Sequence, residues 1–149
     1  MRKILLLLIT TIVSLTAWAG DNASVTVHGT MYYTSYGSRT ASGDRINASR
    51  VKAGQDRWVA LSRDMFRSGF KMNDTILVNS DVNPKVNGLW VVKDKMAGRK
   101  KIDFLVHRSN CSGFRNGKVT IRKMDADDLA EYRQQQAIDS LKDELAEAY

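Results

Sequence analysis

The chain has little cysteine, proline or histidine. Its 149 residues include one cysteine, Cys111, one proline, Pro84, and two histidines, His28 and His107. A single cysteine excludes an intramolecular disulfide, so the fold must be held by packing. A thiol nucleophile wants a histidine beside it. His107 lies four residues before Cys111, yet the plainer reading of Cys111 is an ordinary core or loop residue. No spacing of His, Cys and acids suits a metal. No G-x-S-x-G elbow and no phosphate-binding loop occurs, so neither a metal nor a cofactor is expected. Beyond residue 19, no apolar run approaches the roughly 20 residues that a membrane-spanning helix needs.

What is present begins with the N-terminus. Met1-Arg2-Lys3 supplies positive charge, residues 4–16 are uncharged and mostly apolar, and Ala17-Trp18-Ala19 precedes Gly20. A basic start, a short apolar stretch and an A-x-A site are the three parts of a secretory signal peptide. Residues 1–19 are therefore expected to be a cleavable signal, and the mature chain to work in the periplasm or outside the cell. The residues that follow suit one domain with a single core.

Charge is unevenly spread over a chain of net +7. Residues 124–149 carry eight acids against Arg133 and Lys142, a net of −6, whereas residues 20–123 carry 19 bases against eight acids, a net of +11. An exported basic domain implies an anionic partner: cell-wall glycan with its carboxylates, acidic polysaccharide or lipid head groups. Nucleic acid is not expected, because basic stretches interleaved with aromatics and known binding motifs are missing.

Short β-rich runs separated by turn residues occupy residues 25–122. Strands are expected at residues 25–33, 58–62, 75–79, 89–94, 102–107 and 118–122. Residues 34–47, rich in Ser, Gly and Thr, read as a loop. Residues 63–69 read as one helical turn closed by Gly69, and residues 81–88 as a hairpin connection. The run from Leu89 to Lys93 is apolar enough to predict a strand buried on both faces. Six short strands with no long helix between them predict a mainly β barrel or sandwich. Residues 126–149 lack Gly and Pro and are rich in Ala, Leu, Glu and Gln, which predicts one acidic C-terminal α-helix, packed on the basic domain or projecting from it. The expected organisation is thus a signal at 1–19, a β domain at 20–123 and a helix at 124–149.

Two aspartates stand out by context. Asp94 ends one expected strand, and Asp103 starts the next after Lys100-Lys101-Ile102. If the two strands approach each other, both carboxylates can face one groove. One could then protonate a glycosidic oxygen as a general acid, since paired carboxylates split their pKa values. Asp at a strand end also commonly shapes a turn. Lys93, Lys95, Arg99, Lys100 and Lys101 crowd the segment, and nearby cations hold a carboxyl ionised unless burial overrides them.

Two segments resemble known families. Residues 32–44, Tyr-Tyr-Thr-Ser-Tyr-Gly-Ser-Arg-Thr-Ala-Ser-Gly-Asp, resemble the opening of rare lipoprotein A-like domains. Residues 88–96, Gly-Leu-Trp-Val-Val-Lys-Asp-Lys-Met, followed by Lys101-Ile102-Asp103-Phe104-Leu105-Val106, resemble the three-aspartate domain. Asp64, after Trp58-Val59-Ala60-Leu61-Ser62-Arg63, sits near that family's remaining aspartate. The resemblance implies a six-stranded double-psi β-barrel, as in rare lipoprotein A, expansin-like proteins and membrane-bound lytic transglycosylase A. It implies that Asp103 is the acid/base of a peptidoglycan lytic transglycosylase, with Asp94 in support. It places Asp64, Tyr33, Thr40 and Ser42 at the substrate, and the basic surround, Arg99 and Lys101 among it, suits the carboxylates of peptidoglycan. A non-catalytic wall-glycan module and a secreted protein-binding domain that docks through its C-terminal helix stay open as alternatives. The oligomeric state is open too.

Overall fold

The computed structural model describes residues 23–33, 37–110, 114 and 117–147. The signal expected at 1–19, Cys111 and residues 34–36 of the resembling segment lie outside these. Six strands form: β1 (Val25–Tyr32), β2 (Trp58–Ser62), β3 (Thr75–Asn79), β4 (Gly88–Met96), β5 (Lys101–Leu105) and β6 (Gly117–Lys123). Three helices accompany them: α1 (Ala48–Lys52), α2 (Arg63–Arg67) and α3 (Ala126–Glu147). The protein is mainly β, with a six-stranded sheet and a C-terminal helix. Its strands pair in the order β1-β5-β2-β4-β3-β6, and β6 pairs back to β1. β1/β5 and β2/β4 are parallel; the remaining pairs are antiparallel.

Side chains alternate across each strand, and this sets the core. Val27, Val59, Leu61, Ile76, Val78, Trp90, Val92, Ile102, Phe104, Val119 and Ile121 point inward and are buried together. Each contributes about 1.5–3 kcal/mol of apolar burial. Trp90 meets Phe104 edge-on, with centroids 4.9 Å apart. β4 is not buried on both faces as its composition predicts: Trp90 and Val92 are buried, while Leu89 and Val91 are only partly so. Gly29 and Gly117 are cross-strand partners, and a Cβ on either would overlap the Phe114 ring. This pair of glycines lets Phe114 reach the core.

A second, smaller apolar cluster lies on the opposite face of β5. Leu105 packs there with Ile46 and Val51, and Tyr32 and Trp58 flank them. The segment supplying Ile46 and Val51 contains α1, which sequence patterning does not reveal because it is only five residues long. Asn47 starts it by accepting the Ser49 and Arg50 backbone N–H groups, the usual work of an N-cap. At the other end of the chain, Asp125 and Asp128 accept each other's backbone N–H groups, a capping box that opens α3. Arg122 on β6 binds Asp128 at 2.9 Å. Beyond Tyr132, the side chains of α3 are exposed apart from a half-buried Asp139. Among the described residues, no helix is long and apolar enough to cross a membrane.

Candidate functional site

β4 and β5 follow each other in sequence but do not pair, because β2 lies between them. This placement aligns the two aspartates. Ala60 on β2 is in register with Asp94 on one side and with Asp103 on the other. Asp103 is in turn in register with Thr30 on β1. A single row across four strands therefore reads Asp94, Ala60, Asp103, Thr30. Two inter-strand steps separate the aspartate backbones by roughly 10 Å, and the residue between them carries only a methyl group. A register shift between Val59 and Ala60 adds one residue, Lys93, to the β4 side. This bulge brings Asp94 into the row.

Asp103 is half-buried and accepts the Thr30 hydroxyl at 2.8 Å. Burial pushes its carboxyl above the ordinary value, and the Thr30 hydrogen bond offsets this only in part. The sequence expects the crowded cations to hold this carboxyl ionised unless burial overrides them; burial is the larger effect, and three of the five cations are engaged elsewhere. Lys93 binds Asp44 at 2.9 Å and Asn73 at 2.7 Å. Lys95 lies over the Phe66 ring. The Arg99 charge acts on Asp64. Asp94 accepts two backbone N–H groups, from Ala41 at 3.0 Å and from Lys95 at 2.8 Å.

Tyr32 joins the two carboxylates. Its phenol is pushed far above the ordinary tyrosine value, first by burial, then by the negative charge of Asp94 and that of Asp103. Its buried hydroxyl has no hydrogen-bond partner among the described residues. Buried polar groups without partners are uncommon and call for an explanation. Tyr32 was absent from the residues that the sequence placed at the substrate. The signal was its parity: Thr30 and Tyr32 share the face of β1 that meets Asp103 and Leu105.

The remaining candidates fall into three places. Thr40 and Ser42 sit in a turn clasped onto β4, with their hydroxyls 2.9 Å apart. Ser42 donates to Asp44 at 2.6 Å, and its N–H bonds the Lys93 carbonyl. Ser42, followed by Lys93, holds the Asp44 carboxyl below the usual range. These hydroxyls build the turn that delivers the Ala41 N–H to Asp94. Tyr33 is exposed and lies under the Arg108 guanidinium. Asp64 and Arg99 are at the end of the barrel, where they line a cavity of about 420 Å³ with Arg63 and Arg67. Asp64 accepts the Lys100 N–H at 2.9 Å, and the Ser62 hydroxyl, followed by this amide, lowers its pKa. Lys100 has φ 47°, a left-handed conformation that costs energy in a non-glycine residue. Asp64 on one side, and the His28 N–H donating to the Lys100 carbonyl on the other, hold it there. Lys101 donates its own N–H to Ser62 Oγ, and its side chain packs over Gly98. Among the described residues, no group of three or more His, Cys, Asp or Glu is placed to hold a metal.

Chemically, the row offers a carboxyl whose proton affinity is raised, a second carboxyl that accepts two backbone amides, and a phenol with no hydrogen-bond partner among the described residues. That set can transfer a proton to a polar substrate and recover it. No protein-family model and no curated protein matches the chain.

Proposed function

We propose that this is an exported double-psi β-barrel that binds peptidoglycan and cleaves its glycan strands as a lytic transglycosylase. One observation carries the reading: Asp103, its proton affinity raised by burial, stands in one row with Asp94 across a single methyl group. The two parallel pairs, β1/β5 and β2/β4, join strands distant in sequence, as crossed psi loops require, and so support the barrel type. Asp103 donates its proton to the glycosidic oxygen between MurNAc and GlcNAc as the bond to C1 breaks. The MurNAc C6 hydroxyl then attacks C1, and its proton returns to Asp103. The product is a 1,6-anhydro sugar, and no water is consumed. Asp94 stabilises the positive charge that develops at C1, and the Tyr32 hydroxyl gains a partner in the substrate. The arginine-lined cavity lies before the start of β5, where its Arg99 stands four residues before Asp103 in the chain. It suits the carboxylates of the peptide stems.

Digestion of purified sacculi, with mass detection of anhydro-muropeptides, tests this. The protein should release them, and Asp103→Asn should lower release by at least about 100-fold, the scale of a lost general acid, while retaining wall binding. Unchanged turnover removes Asp103 from the mechanism. A second reading is a non-catalytic wall-binding module. The two backbone amides held by Asp94 favour it, because they are what a turn-shaping aspartate would bind. Wall binding without anhydro product would select it.

A further inference from the structure

A second cavity lies at the opposite end of the barrel from Arg99, where β2 and β4 begin and β5 ends. It holds about 440 Å³, within the range of small-molecule sites. Its floor is apolar: Trp90, Val86 and Leu105 are buried core residues. Its polar lining holds two cations, Arg57 and Lys85, one carboxylate, Asp56, and the neutral polar groups of His107, Ser109 and Asn110.

Arg57 gives this cavity its chemistry. The guanidinium is half-buried and stacks on the Trp90 ring, 4.2 Å from the centroid. Nε donates to the Leu89 carbonyl at 3.1 Å, and Nη2 donates to those of Asn87 at 2.8 Å and Val86 at 3.4 Å. All of these acceptors are neutral. Asp56, its neighbour in sequence, is taken by Arg50, which bonds it through both Nε and Nη2. The Tyr132 hydroxyl raises the Arg57 pKa slightly, but burial prevails and lowers it. Among the described residues, no carboxylate forms an ion pair with Arg57. A desolvated cation without a counterion is costly, and an anion entering the cavity would relieve that cost. Nη1 is not engaged by the three carbonyls. His107 lines the same cavity, with its Nδ1 at 2.7 Å from the Ser109 hydroxyl and 3.2 Å from the Ser109 backbone nitrogen.

We propose that this cavity is a binding site for a small amphipathic anion, with an acidic group at Arg57 and an apolar body on Trp90. The site is independent of Asp94 and Asp103 and stands whether or not the chain cleaves glycan. Trp90 provides a local reporter, since its indole N–H donates to the Val86 carbonyl at 2.7 Å. Trp58 lines a different cavity and serves as the control.

The test titrates the isotopically labelled protein with 8-anilinonaphthalene-1-sulfonate and, separately, with N-phenyl-1-naphthylamine, which keeps the aromatic body and lacks the charge. The sulfonate should bind at least about tenfold more tightly and should shift the Trp90 indole resonance while leaving that of Trp58 in place. Arg57→Gln should remove the preference for the charged probe and leave the affinity for the neutral one unchanged. Arg57 also ties down three carbonyls, so Lys85→Ala at the exposed rim provides a variant that does not touch them, and it should weaken the sulfonate selectively. Equal affinity for the two probes, an unmoved Trp90 resonance, or an unaltered charge preference in both variants would overturn the proposal.

Discussion

Ala60 is the residue on which the candidate site turns. A larger side chain there would fill the space between Asp94 and Asp103, whereas a methyl group leaves the carboxylates facing across one strand. Asp103 is held in a place that suits its protonated form, and this has a consequence for stability. Its folded-state pKa is raised, so the folded protein keeps this proton to a higher pH than the unfolded chain does. Stability is then lost as pH rises from the unfolded carboxyl value, about 3.9, through the folded one, and the loss persists at neutral pH. Asp103→Asn retains an oxygen acceptor for Thr30 and cannot ionise. The variant should therefore melt a few degrees higher than the wild type at pH 7 and equally at pH 3, by calorimetry or circular dichroism. A lower melting temperature at pH 7 would show that the carboxylate is stabilising where it sits.

At the scale of elements, insertion of β2 between β4 and β5 makes one site from two strands that the chain order would leave side by side. The turn at residues 40–44 completes the arrangement by pinning Ala41 to Asp94 and Ser42 to the Lys93 backbone. α3 is a different kind of element. It is fastened at its first turn by Asp125, Asp128 and Arg122, and its remaining turns carry Ile138, Leu141 and Leu145 exposed. Forming the first turn is the costly step of helix formation, so its start matters. Asp125→Ala removes the cap and should cost about 1 kcal/mol, seen as reduced helical ellipticity with the β signal preserved. Loss of the whole fold would instead make the cap part of the barrel's own stability.

Across the whole molecule, the charge is divided. Most of the basic residues lie on the β domain and its loops, and most acids of the C-terminal segment lie exposed on α3. Under the proposed function, a net of +11 over residues 20–123 would draw the domain to a polyanionic wall at low ionic strength. Raising salt from 0.1 M to 1 M shortens the Debye length from about 10 Å to about 3 Å. Retention on insoluble peptidoglycan should fall severalfold over that range in a sedimentation assay. Salt-independent retention would place the affinity in apolar or hydrogen-bonded contacts instead.

Much of the β domain was readable in order. The six strands fall where the alternation of β-formers and turn residues put them, and the C-terminal helix follows from an acidic run free of Gly and Pro, because these signals are local; its cap was not read from the sequence. The charge division and the candidacy of Asp94 and Asp103 were legible for the same reason. Which strands become neighbours was not legible, since register depends on contacts between residues far apart in the chain. Only the tertiary structure could place Ala60 between the carboxylates, bring Tyr32 rather than Tyr33 to them, turn Lys93 toward Asp44, and leave Arg57 on Trp90 with no ion-pair partner among the described residues. Burial and field at a point in space are sums over neighbours that a linear sequence does not order, and here those sums raise the proton affinity of Asp103.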